Sequence, residues 1–138
     1  MDKLIWNIPI KTVSEANSSE HWTVSSKRHR SQQFLIRALF HSLHSPIQLP
    51  CKITLTRKNK RFLDEDDNLP MAFKWIKDEI ALCIFPEKRT FYLNRKGRSV
   101  SIKGHGDNDP QIKWEYSQEK SQIPGIRIVI EPLIEIPV

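Results

Sequence analysis

The chain of 138 residues holds only two cysteines and four glycines, and no uninterrupted apolar run long enough to cross a bilayer. Each shortage excludes something. Cys51 and Cys83 are far apart, form no C-x-x-C pair and sit in apolar stretches, so buried free thiols are expected, and neither a disulfide framework nor a cysteine metal site. A membrane span needs about 20 apolar residues, so none is expected. The opening MDKLIWNIPI lacks a basic stretch followed by an apolar core, which predicts no signal peptide and a reducing, cytoplasmic setting. The glycine shortage, set against nine prolines, favours stiff connections over flexible linkers. The length suits a single domain, 1–138, whose one core needs no covalent staple.

What is abundant is positive charge. A net charge of +6 and a pI near 9.5 favour a polyanionic partner, nucleic acid ahead of an anionic surface. The cations cluster: Lys27, Arg28 and Arg30 stand within four residues, and Arg57, Lys58, Lys60 and Arg61 within five. Taken alone, either cluster is equally a solvated loop.

Apolar spacing sets the expected elements. Leu4, Trp6, Ile8 and Ile10 alternate, as in a strand over 4–10. Residues 14–26 are polar and read as a loop, in which Trp22 is a packing anchor ahead of a base-stacking platform. Ile36, Leu39, Phe40 and Leu43 mark a helix over about 28–44, ended by Pro46 and Pro50. Residues 51–56 alternate as a half-buried strand, and a second helix is expected over about 69–84, with Pro70 in its first turn. FYLN and SVSI, joined around Gly97, predict a hairpin over 91–102, and strands over 112–117 and 125–131 follow. This order predicts an α+β fold, a mixed sheet with two main helices packed on one face.

Asp64, Glu65, Asp66 and Asp67 form an unbroken acidic run directly after the second basic cluster. Unit charges about 4 Å apart repel by about 1 kcal/mol in water and about 4 kcal/mol near a protein surface, a cost that a bound divalent cation reverses. In extended backbone, Glu65 and Asp67 share one side and Asp64 and Asp66 the other, making Glu65-x-Asp67 a two-carboxylate clamp of the kind Mg²⁺ accepts together with phosphate oxygens. On a continuous helix Lys74 and Asp78 point within about 20° of Asp67, away from the apolar stripe. The bland alternative is a solvated face with a Lys74–Asp78 ion pair. Asp107 and Asp109 form a further D-x-D pair in the turn GHGDNDP.

The stretches KNKRFLDEDDNLPMAFKWIKDEIA, DNDPQIKWEYSQEK and GIRIVIE together resemble the RusA-type Holliday junction resolvases, and SEANSSEHW resembles the polar N-terminal loop of their phage-type relatives. The resemblance spans most of the chain outside 84–104, where the hairpin looks like an insertion. It implies a RusA-like fold and a homodimeric, Mg²⁺-dependent endodeoxyribonuclease, with Mn²⁺ as a substitute, that cuts four-way DNA junctions in recombination and repair. It further implies that Glu65, Asp67 and Asp109 bind the metal, with Asp66 or Asp64 as the alternative to Glu65 and Asp107 as a further candidate ligand beside Asp109, and that Lys74 serves the reaction. The phosphate contacts it implies come from Lys27, Arg28, Arg30, Arg57, Lys58, Lys60 and Arg61, with Asn17 from the polar loop. Glu65 stands where the family has Asp, and Met71 where it has its lysine, Lys74 coming three residues later. A junction-binding protein that does not cut, and a metal nuclease for other DNA structures, therefore stay open as alternatives.

Overall fold

A computed structural model describes residues 3–13, 20–63, 68–88, 90–93, 95–102 and 106–133. The chain is α+β. Strands β1 (Leu4–Ile8), β2 (Cys51–Asn59), β5 (Ile112–Lys120) and β6 (Gly125–Pro132) form one mixed sheet in the order β1-β6-β2-β5. β2 and β5 run parallel, while β6 is antiparallel to both β1 and β2. Helices α1 (Trp22–His41), α2 (Asn68–Ala72) and α3 (Lys74–Ile84) supply the second layer, and β3 (Thr90–Leu93) and β4 (Ser99–Ile102) form a separate two-stranded sheet. The expected hairpin is therefore present, its turn carrying Gly97 at φ 73°, a left-handed conformation that costs glycine little.

Alternation along the strands gives the sheet two unlike faces. Cys51, Ile53 and Leu55 of β2 and Ile126, Ile128 and Ile130 of β6 point inward, each with no exposed surface, and meet Ile36 of α1 and Ile76 and Ile80 of α3. Trp6 packs edge-on to Phe40, their ring centroids 5.2 Å apart. Burial pushes the Cys51 thiol up to about 11, so this cysteine is an inert apolar filler. The outward positions carry charges that neutralise one another: Lys52 lies 3.8 Å from Glu115 and 3.4 Å from Glu131, Lys113 lies 3.7 Å from Glu115, and Arg127 is paired with Glu119. Among the described residues, no helix is long and apolar enough to cross a membrane.

Four expectations require correction. The first helix begins at Trp22, inside the stretch read as loop, because the His21 ring caps it by accepting the Thr23 N–H at 3.2 Å. Capping signals are sought at Ser, Thr, Asp and Asn, so a histidine cap ahead of Thr, Val and Ser gives no warning. Trp22 is not a packing anchor, since it is 70% exposed. The helix expected over 69–84 is broken at Phe73, whose N–H bonds to the Pro70 carbonyl at 3.1 Å in a tightened turn, so Lys74 opens a new helix. β2 continues to Asn59, three residues beyond the expected end, and its alternation carries Arg57 onto the buried side.

Candidate active site

The described residues on either side of the acidic run are both held against the sheet. Leu63 donates its N–H to Gln118 Oε1 at 2.7 Å, and its carbonyl accepts from Gln118 Nε2 at 2.9 Å. One β5 side chain thus satisfies both backbone groups of the residue that precedes Asp64. On the far side, Leu69 is buried at 2% exposure beside Ala72 and Phe73, and Phe73 faces Tyr116 of β5, with ring centroids 6.0 Å apart. Asp64, Glu65, Asp66 and Asp67 themselves lie outside the described residues, as does Asn17.

The turn from Gly106 to Gln111 leads into β5 from the opposite end. Gly106 is there because a Cβ would stand only 3.2 Å from both the Cβ and the carbonyl oxygen of Ala81, so glycine allows the turn to touch α3. The Asp107 carbonyl accepts the Trp114 indole N–H at 2.9 Å, and the Lys77 ammonium lies 5.2 Å from the centre of the Trp114 ring. Asp109 is engaged on both oxygens, one accepting the Gln111 N–H at 2.9 Å and the other paired with Lys88 at 3.0 Å. The Gln111 N–H first and Lys88 second hold the Asp109 carboxyl below the usual range.

Lys74 and Asp109 are not brought together. Lys74, exposed, opens α3, whereas Lys88, which holds Asp109, follows the end of that helix of 11 residues, about 16 Å along its axis. The Asp107 carbonyl is joined through Trp114 to Lys77, which lies one helical turn after Lys74. Among the described residues, no three His, Cys, Asp or Glu side chains gather as a cation site.

The basic clusters divide by environment. Arg57 is only 6% exposed, donating to Thr12 Oγ1 at 3.0 Å and to the Arg61 carbonyl at 2.7 Å, and burial lowers its pKa. It braces the turn after β2 and is not presented to a surface ligand. Lys58 points to the open face and donates to Asn7 at 2.8 Å, while Lys60 and Arg61 are exposed in the turn. On α1, Arg28 is paired with Glu20 at 2.6 Å, whereas Lys27 and Arg30 are exposed. α1 meets α3 along a polar seam: His29 stacks on Trp75 with centroids 4.2 Å apart, and Arg37 donates to the buried Glu79 at 2.9 Å. Nothing in the residue pattern pointed to the Gln118 clamp, because a glutamine in a strand has no spacing that marks its partner.

Compared with known protein families, the chain matches no family model, and no curated protein sequence matches it.

Proposed function

We propose that this protein is a Mg²⁺-dependent endonuclease acting on branched DNA such as four-way junctions, as a homodimer. The observation that carries the reading is the reciprocal pair of hydrogen bonds between Gln118 and Leu63, which holds the residue preceding a four-carboxylate run against β5, a member of the parallel strand pair β2–β5.

In this reading Glu65 and Asp67 hold the cation, with Asp66 adjacent and one carboxylate of the 107–109 turn completing the set. Asp107 is preferred to Asp109 as that third carboxylate, because both Asp109 oxygens are already engaged in the turn and with Lys88. Mg²⁺, if held by these carboxylates, would supply positive charge to polarise a phosphate and to make a nearby water more acidic. Lys74, exposed on the first turn of α3, holds a non-bridging phosphate oxygen as charge grows on it. Lys27, Arg30, Lys60 and Arg61 contact phosphates without reading sequence.

Asp67→Asn and Asp107→Asn should each keep junction binding and abolish Mg²⁺-dependent cleavage, read on labelled four-way junctions. If the wild type binds junctions and never cuts them with Mg²⁺ or Mn²⁺, the protein is a binding module. Cleavage of flaps with junctions ignored would move it to another class of metal nuclease.

A further inference from the structure

The sheet's open face is covered with ion pairs, so the excess positive charge must be expressed elsewhere. Helix α1 contains Lys27, Arg28, Arg30 and Arg37 and not one Asp or Glu in 20 residues. Carboxylates from outside the helix neutralise two of these cations: Glu20 holds Arg28 and Glu79 holds Arg37. Among the described residues, neither Lys27 nor Arg30 is in an ion pair, and both are exposed. At 100° per residue, Lys27 and Phe34 point within about 20° of each other and Arg30 within about 40° of Phe34, all on the side opposite Gln32 and Ile36. Phe34 is 68% exposed and its neighbour Leu35 38% exposed. Arg30, Ser31, Phe34 and Leu35 line a shallow surface depression.

A large aromatic left in water between two uncompensated cations needs a partner that is both anionic and flat. A second copy of this helix fits poorly, since an isologous contact sets Lys27 and Arg30 against their own images with no carboxylate on the face to relieve them. A closed duplex offers phosphates, but its base faces are stacked and unavailable to Phe34. Unpaired nucleic acid offers both, phosphates for the cations and a base face for the ring. We propose that the outward face of α1 binds an unpaired strand, its phosphates on Lys27 and Arg30 and a base stacked on Phe34. The inference deepens the branched-DNA reading, since strands exchange at a branch point and bases there unstack more readily than within a duplex, and rests on it only for the identity of the polyanion.

The test is equilibrium binding of a labelled oligothymidylate of about 12 nucleotides, in EDTA so that cleavage plays no part, with a duplex of equal length and anionic phosphatidylserine vesicles as competitors. Phe34→Ala should weaken strand binding by about 5- to 100-fold with an unchanged thermal midpoint, and Phe34→Trp should restore it. Lys27→Ala and Arg30→Ala should each lower the slope of log affinity against log salt by about 0.7, the value of one phosphate on a single strand. The proposal is overturned if Phe34→Ala binds as tightly as wild type, if the duplex or the vesicles displace the strand at equal or lower concentration, or if Phe34→Ala only dissociates a dimer. Strand binding with this pattern in a protein that cuts nothing would remove the nuclease reading alone. Junction cleavage with strand binding indifferent to Phe34 would remove this one alone.

Discussion

At the scale of single residues, charge type says little about role until the partners are known. Arg57 and Lys58 are adjacent cations with opposite fates, one buried against Thr12 and the Arg61 carbonyl, the other on the open face beside Asn7. Replacing Arg57 by Met removes two hydrogen bonds and strands their acceptors, which should cost about 1–3 kcal/mol, read as a lower urea midpoint. Asp109 and Glu119 both titrate below their ordinary values of 3.8 and 4.5, through the Gln111 N–H and Lys88 for the first and Arg127 for the second. Because the folded pKa values are the depressed ones, this stabilisation is complete above the ordinary values and is lost as pH falls through the lower folded ones. The thermal midpoint should therefore decline as pH drops below 4.5, and Lys88→Met should flatten that decline while Lys88→Arg should not.

Among elements, two contacts hold the segments that flank β5, one fastening Leu63 to the strand and one setting the preceding turn against α3. Gln118 fastens Leu63 to β5, and Gln118→Ala, which leaves two backbone groups to find water, should cost about 1–2 kcal/mol in denaturant unfolding. Cleavage of a labelled junction should fall by more than the loss of folded protein explains, because the entrance to the acidic run is released. Gly106 lets the 107–109 turn lie against α3, and Gly106→Ala places a methyl group 3.2 Å from Ala81. The turn or the helix must give way, so Gly106→Ala should destabilise by about 1–3 kcal/mol, measured by the same unfolding curve. Ala81→Gly in that background should recover part of the loss.

For the molecule as a whole, the single-sided core was legible and the distribution of charge was not. The alternation of Cys51, Ile53 and Leu55 and the helical spacing of Ile36, Leu39 and Phe40 mark faces that must be buried, and the sheet and helices bury them against each other. Period-two and period-3.6 patterns are local, so they survive in one dimension. Ile53→Ala, at a position with no exposed surface on a central strand, should cost about 2–5 kcal/mol by urea unfolding. The acidic run, the D-x-D turn and Lys74 were likewise visible as residues, but the partners of Asp109 and the break before Lys74 were not. Helix periodicity assumed one helix where Phe73 makes two, and sequence distance could not show that Lys88 would claim Asp109. By itself the sequence determined the class of fold, the positive balance and which carboxylates crowd together, because these follow from composition and short-range period. Only the tertiary structure decided that Arg57 turns inward, that Lys88 holds Asp109, and that Lys27, Arg30 and Phe34 share an open helix face. Each of those depends on which element packs on which, and that choice is made by the whole core at once.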